Sequence, residues 1–163
     1  MNGGDLSPIQ WAITPLKKFA TFSGRAPRAE YWWFYLGTII VSIPFRIIDA
    51  AAGTDQALNG VLTLVLLVPW IAVTVRRLHD TDRSAWWLLG FVAALGAFGA
   101  LAVMKDFKGA SNYLSYTLMI VLILAIIGMS ITSLVFMAQA GTDGPNRYGA
   151  DPYGGDELEE VFA

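Results

Sequence analysis

Four long apolar segments constrain the fold of this chain more than any other feature of its sequence. They cover residues 31–48, 56–75, 85–104 and 114–138, and Arg46 is the only charged residue inside them. A helix of about 20 residues crosses the roughly 30 Å hydrocarbon core of a bilayer. Surface helices of soluble proteins carry a polar face at helical spacing, whereas these segments are apolar all round. The sequence therefore predicts an all-α integral membrane protein with four transmembrane helices in one domain.

The composition excludes several classes of function. Charged residues make up only 15% of the chain, against about 25% in a typical soluble domain. The net charge of −2 argues against a nucleic-acid partner, because such partners select a basic surface. The absence of cysteine excludes disulfides, thiolate catalysis and cysteine-ligated metals. Residues 1–20 contain no apolar run of the kind found in secretory signals. We expect no cofactor.

The basic residues predict the orientation. Eight of the eleven lysines and arginines fall in the N-terminal segment, the loop after the second span and the tail. They are Lys17, Lys18, Arg25, Arg28, Arg76, Arg77, Arg83 and Arg147. The opposite loops hold Lys105 and Lys108. Because cytoplasmic loops are enriched in positive charge, both termini are expected in the cytoplasm. Paired tryptophans at residues 32–33 and 86–87 agree with these boundaries, since tryptophan favours the headgroup level.

The two ends of the chain differ in character. Ser7, Pro8 and Gln10 form a helix-start signal, which predicts an interfacial segment over residues 8–22 with a short helix on the cytoplasmic leaflet. Pro15 is expected to break or kink that helix. Residues 139–163 are predicted to be a turn-rich cytoplasmic tail. Its last acidic residues are expected to be solvated, and they are Asp156, Glu157, Glu159 and Glu160.

Three polar motifs lie on the predicted cytoplasmic side. They read FSGRAPRAEYW at residues 22–32, RRLHDTDRSAWW at residues 76–87 and GTDGPNRYGADP at residues 141–152. This trio, separated by apolar spans, resembles the bacterial "domain of unknown function 805" family over about residues 15–153. Asp82 and Ala85 stand where that family usually has glycine. The resemblance implies a multi-pass protein of the bacterial inner membrane, and it implies no reaction.

The charges of the three motifs nearly balance, at six arginines against five acids. Because arginine forks match carboxylates, we expect these charges to pair and to tie the three motifs into one cytoplasmic cap. Arg76 and Asp80 have the spacing of one helix face, as do His79 and Arg83. The turn before Arg147 is expected to aim it back at the loop. The predicted network or anion-binding residues are Arg25, Arg28, Glu30, Arg76, Arg77, His79, Asp80, Arg83, Asn146 and Arg147.

Three classes of function remain open. The favoured one is a membrane protein whose cap is structural or binds a partner. That partner would be anionic headgroups of membrane lipids, a second copy or another membrane protein.

A small transporter or channel is a second class, although no charged residue lies in the second to fourth spans. Its candidate lining residues are Ser130, Thr132 and Ser133. A membrane enzyme at the cytoplasmic face is the third, with His79 and Asp80 as acid–base groups. Neither GxSxG nor HExxH occurs, and metal binding by His79, Asp80 and Asp82 has weak support.

Overall fold

A computed structural model describes residues 6–104 and 112–153 of the chain. It contains five helices: α1 (Pro8–Lys17), α2 (Arg28–Ala52), α3 (Ala57–Asp80), α4 (Trp86–Met104) and α5 (Asn112–Ala138). The described ranges contain no strand, so the prediction of an all-α protein is confirmed there. Lys105, Lys108 and the acidic residues of the far tail lie outside these ranges.

The chain forms two compact units. The first comprises Met1–Arg83 and Gln139–Ala163, and the second comprises Ser84–Ala138. Helices α1, α2 and α3 belong to the first unit, together with the tail that follows α5. Helices α4 and α5 form the second unit, where Trp87 contacts Phe136 edge to face and Gly90 lies beside Met129. All three predicted polar motifs have their arginines in the first unit.

Helix α1 begins where its sequence predicts. Ser7 and Gln10 form the capping box, in which each side chain accepts a hydrogen bond from the other's backbone N–H. The helix does not break at Pro15 and ends at Lys17, so it occupies the first part of the predicted segment 8–22. Proline at this position removes one backbone hydrogen bond to the preceding turn. Trp11 is buried, whereas Ile9 is 71% exposed.

A capped turn joins α2 to α3. Gly53 closes α2 in the left-handed conformation, with its N–H bonded to the carbonyl oxygen of Asp49. The Asp49 carboxylate accepts hydrogen bonds from the backbone N–H groups of Leu58 at 3.0 Å and Asn59 at 2.8 Å. These are the orphan donors at the start of α3, where a carboxylate also opposes the positive end of the helix dipole. Asp49 therefore fixes the ends of the two helices together.

Three helices in the described ranges are long and apolar enough to cross a membrane. They are Arg28–Ala52, Ala57–Asp80 and Tyr116–Ala138, and Trp86–Ala100 is a shorter apolar helix. Large apolar side chains on the long helices point outward, as in Leu64 at 69% exposed and Leu124 at 64%. Pro44 and Pro69 lie inside α2 and α3 without ending them, which transmembrane helices tolerate. Helix α3 continues beyond the expected span, through Arg76 and Arg77 to Asp80.

Candidate functional site

Five charged residues are buried around the C-terminal end of α3. Exposure is 7% for Arg25 and 1% for Glu30, and it is 1%, 0% and 2% for Arg76, Arg77 and Asp80. We call these five residues the buried charge cluster. Burying an ion is costly unless it is paired and hydrogen-bonded, so the partners of each group decide what the cluster does.

Asp80 is the centre of this cluster. Its carboxylate accepts a hydrogen bond from Arg25 Nε at 3.0 Å and pairs on its other oxygen with Arg77. Its backbone carbonyl accepts from the N–H of Thr142 at 2.9 Å. One residue at the end of α3 therefore contacts the segment before α2, its own helix and the tail after α5.

The two arginines that pair with Asp80 also hold the tail. Arg25 donates to the carbonyl oxygens of Gly144 at 2.5 Å and Thr142 at 2.6 Å. Arg77 donates to the carbonyl oxygen of Gln139. These bonds involve backbone oxygens, which every residue carries, so the sequence contained no signal for them. They convert an ion-pair network into a clamp on the tail.

The tail approaches so closely at Gly141 that no side chain fits there. A Cβ built on Gly141 would overlap the Asp80 carboxylate. The glycine opens the third polar motif, so its position was visible in the sequence, but its role depends on this contact across 61 positions of chain. Gly141 is therefore a site residue that the sequence analysis missed.

Glu30 and Arg76 form the second buried ion pair, with Glu30 Oε1 2.5 Å from Arg76 Nη1. Arg76 and Asp80 have the spacing of one helix face, but the Asp80 carboxylate pairs with Arg25 and Arg77 instead. Nε and Nη2 of Arg76 are buried without a hydrogen-bond partner among the described residues. The backbone adds a further link, since the N–H of Ala26 donates to the carbonyl oxygen of Arg76 at 3.0 Å. This pair joins α2 to α3.

A more exposed rim surrounds the cluster, formed by His79, Asp82, Asn146, Arg147 and Tyr148. The His79 ring stacks on Tyr148 with centroids 3.9 Å apart, and its Nδ1 lies 3.2 Å from the carbonyl oxygen of Gly24. Asn146 donates to the carbonyl oxygen of His79 at 2.9 Å. Arg147 pairs with Asp82 at 3.0 Å and lies over the Tyr148 ring. Tyr148 was not among the predicted site residues. We call the buried charge cluster and this rim together the cap.

The two remaining predicted residues lie beside the cap. Arg28 is exposed and lines a cavity of about 180 Å³ with Arg25, and the acidic residues of its wall are Asp80, Asp143 and Asp151. Arg83 is half-buried and donates to the carbonyl oxygen of Thr81 at 3.0 Å. Because three aspartates face two arginines in this cavity, its charge does not favour a simple anion.

The positions of His79, Asp80 and Asp82 show whether these residues could bind a metal ion together. Within residues 6–104 and 112–153, no group of three or more His, Cys, Asp or Glu side chains is placed to hold a metal ion. The carboxylate of Asp80 is occupied by arginines, and the His79 ring lies against Gly24 and Tyr148. His79, Asp80 and Asp82 are therefore not assembled into the ligand set that their adjacency suggested.

Comparison with known proteins places the chain in a family. The family described as "Protein of unknown function (DUF805)" matches residues 19–150. Two Escherichia coli relatives are the inner membrane proteins YhaH and YhaI, each 36% identical and aligned over 88% of this chain. The alignments cover 97% of YhaH and 96% of YhaI. A third, the uncharacterized E. coli protein YiiR, is 31% identical over 80% of this chain and 85% of its own length. No solved structure matches. With its apolar helices and these relatives, the chain is a membrane protein that belongs to the DUF805 family of unknown function.

Proposed function

We propose that this chain is a four-span protein of the bacterial inner membrane with both termini in the cytoplasm, and that its cap is a structural lock. The lock holds the N-terminal segment, the end of α3 and the tail together as one cytoplasmic surface. The exposed rim of that surface is where we expect contact with anionic headgroups, a second copy or another membrane protein.

The dimensions of α3 support the proposed topology. Asn59 and Arg76 are 17 residues apart, which corresponds to about 26 Å along a helix and is close to the roughly 30 Å hydrocarbon core. The turn before α3 and the cap after it therefore fit opposite faces of a bilayer. The concentration of arginine in the cap supports the proposed location at the cytoplasmic face.

The contacts of the tail support four crossings. Arg25 precedes α2 and the tail follows α5, yet Arg25 contacts the tail carbonyl oxygens of Thr142 and Gly144. Two segments that touch in this way lie on the same face, so an even number of helices must cross between them. Helices α2, α3 and α5 are long enough to cross. Helix α4 then supplies the fourth crossing, with 19 residues and a length of about 28 Å.

One observation carries the structural role of the cap: Arg25 binds Asp80 and two tail carbonyl oxygens at once. Most donors and acceptors of the cluster are satisfied by the protein itself. A site built for an external anion would instead present unpaired cations to an open pocket. The cavity beside Arg28 has more acidic than basic groups in its wall. The geometry therefore supports a lock better than a headgroup pocket.

The two alternative classes of function receive less support. In α5, Ser130 and Thr132 donate their hydroxyl hydrogens to the carbonyl oxygens of Ile126 and Gly128. These hydroxyls satisfy their own helix, as is common for serine and threonine in apolar helices. The acid–base pair of the enzyme alternative is not assembled, because His79 and the Asp80 carboxylate have different partners.

Cysteine labelling tests the proposed topology, and the chain offers a background free of native cysteine. Single cysteines replace Lys17, Asp55 or Asp143, all of which are exposed. In intact spheroplasts, a membrane-impermeant maleimide should label Asp55→Cys only. Lys17→Cys and Asp143→Cys should react after permeabilisation. Labelling of Asp143→Cys from outside would contradict four spans and a cytoplasmic cap.

A further inference from the structure

A groove between α2 and α3 lies at the end of these helices remote from the cap. It has a volume of about 360 Å³, within the roughly 300–1,000 Å³ range of small-molecule sites. Its apolar wall consists of Ile39 from α2 and of Leu62, Leu66, Leu67 and Trp70 from α3. The groove lies between two helices that are candidate membrane spans. Its apolar wall therefore suits the acyl chains of membrane lipids.

Arg46 lies at the end of this groove that is farthest from the cap. Thr38, Ser42 and Arg46 follow one another at four-residue spacing on the α2 side of the wall. The hydroxyls of Thr38 and Ser42 donate to the backbone of their own helix, at 2.7 Å each. Arg46 has no ion pair or hydrogen bond within the described ranges, so its guanidinium is the one cation that the groove offers to a ligand.

A polar pocket of about 480 Å³ adjoins the groove at the same arginine. Arg46 lines both spaces, and the carboxylates of the polar pocket belong to Asp49 and Asp55. Asp49 is occupied in capping α3. Asp55 is exposed, and its carboxylate has no partner within residues 6–104 and 112–153. The polar pocket therefore offers the guanidinium of Arg46 and the carboxylate of Asp55, both unpaired within the described part of the chain, and it adjoins the apolar groove.

A buried acceptor lies in the wall of the groove. The side-chain oxygen Oδ1 of Asn59 is buried and has no hydrogen-bond partner among the described residues. Buried polar atoms are nearly always paired in folded proteins. Asn59 lines the groove together with Arg46. A ligand that suits this part of the groove must accept hydrogen bonds from Arg46 and must also carry a hydrogen-bond donor.

We propose that this groove binds one glycerophospholipid whose headgroup carries both a phosphate and a primary ammonium group. The phosphate lies on the Arg46 guanidinium, which suits bidentate contact with phosphate oxygens. The ammonium donates to the Asp55 carboxylate, and one acyl chain fills the groove. The proposed lipid site lies at the end of α2 and α3 opposite the cap, so it does not depend on the proposed structural lock.

The length of the groove agrees with a lipid from a single leaflet. Its α2 wall runs from Arg46 to Thr38 and its α3 wall from Asn59 to Trp70. Eight and eleven helical positions correspond to about 12 and 16 Å, and half of the hydrocarbon core is about 15 Å. An acyl chain that starts at the Arg46 level therefore ends near the middle of the bilayer.

Native mass spectrometry of the purified full chain tests the proposal with two lipids of identical acyl chains. One lipid carries phosphoethanolamine and the other phosphoglycerol. Wild type should bind one phosphoethanolamine lipid in preference. Arg46→Gln should weaken binding of both lipids by about tenfold, because it removes a charge-assisted contact to phosphate. Asp55→Asn should weaken only the phosphoethanolamine lipid. The matched control is Lys17→Gln, which removes one exposed charge far from the groove in sequence.

Two further experiments distinguish a bound lipid from other occupants of the groove. Ser42→Leu adds bulk inside the groove and should displace the bound lipid, whereas loosely associated lipids would not respond to it. Soluble glycerophosphoethanolamine should fail to compete, because it lacks the acyl chains. Equal lipid binding by wild type, Arg46→Gln and Ser42→Leu would overturn the proposal. Competition by the soluble headgroup at the concentration of the lipid would also overturn it.

Discussion

Replacing Asp80 by asparagine is expected to destabilise the protein by about 3–5 kcal/mol, the range for removing one partner of a buried ion pair. The carboxylate pairs with both Arg25 and Arg77, and the side chains of all three are at most 3% exposed. Asparagine keeps the shape of the side chain and removes its charge. Two buried guanidinium groups would then lack a counterion. The free energy of unfolding, measured in mixed micelles of a mild detergent and dodecyl sulfate, reports this loss.

Asp82→Asn is the matched control, two residues along the chain. Asp82 also pairs with an arginine, but the side chains of Arg147 and Asp82 are 59% and 48% exposed. Exposed ion pairs contribute about 0–1 kcal/mol. We therefore expect a small change for Asp82→Asn and a large one for Asp80→Asn. Equal effects at the two positions would show that burial of the Asp80 pairs does not stabilise the fold.

Gly141→Ala is expected to have the second largest effect. The added methyl group would overlap the Asp80 carboxylate, so either the tail or Asp80 must move. Overpacking of this kind costs about 1–3 kcal/mol, and movement of Asp80 also weakens its contacts with Arg25 and Arg77. We expect a lower free energy of unfolding and faster proteolysis of the tail, measured by limited digestion of the folded protein.

A helical glycine provides the comparison. Gly60 lies in α3, and a Cβ built there meets nothing within 4 Å. Gly60→Ala should leave stability unchanged or raise it slightly, because alanine favours a helix over glycine by about 1 kcal/mol. If Gly141→Ala behaves like Gly60→Ala, the close contact between the tail and Asp80 does not exist in the folded protein.

The helices could be predicted from the sequence because length and apolar composition determine them locally. Residues 31–48 lie inside α2, all but the first residue of the segment 56–75 lies inside α3, and the start signal at Ser7 and Gln10 gives the first residue of α1. Where α1 ends within the predicted segment 8–22 was not predicted. The exact end of a short helix depends on how its last turn packs, which the sequence pattern does not specify.

Most charged residues of the cap could be named as candidates from the sequence, whereas Tyr148 and the pairings could not. Opposite charges in three motifs indicated a network, but Asp80 has Arg76, Arg77 and Arg83 near it in sequence and Arg25 near it in space. The fold assigns Arg25 and Arg77 to Asp80 and leaves Arg76 to Glu30. The clamp on the tail uses backbone carbonyl oxygens. Such contacts carry no residue-type signal and follow only from the three-dimensional path of the chain.

The surroundings of Arg46, at the end of α2 and α3 opposite the cap, could not be predicted from the sequence either. Its position near the end of an apolar span suggests an arginine that reaches towards the headgroups. The structure adds that Arg46 joins an apolar groove to a polar pocket containing Asp55. This juxtaposition depends on the turn that Asp49 caps, which brings residues from two helices together.

If the cap locks the N-terminal segment to the end of α3, Arg25 and Asp80 must be energetically coupled, and a double-mutant cycle between them measures this coupling most directly. The unfolding free energies of wild type, Arg25→Gln, Asp80→Asn and the double variant give the coupling energy of two residues that lie 55 positions apart in the chain. The lock predicts a coupling of about 1–3 kcal/mol, larger than that of the exposed pair Arg147 and Asp82 in a parallel cycle. Additive effects of the Arg25 and Asp80 substitutions would contradict it.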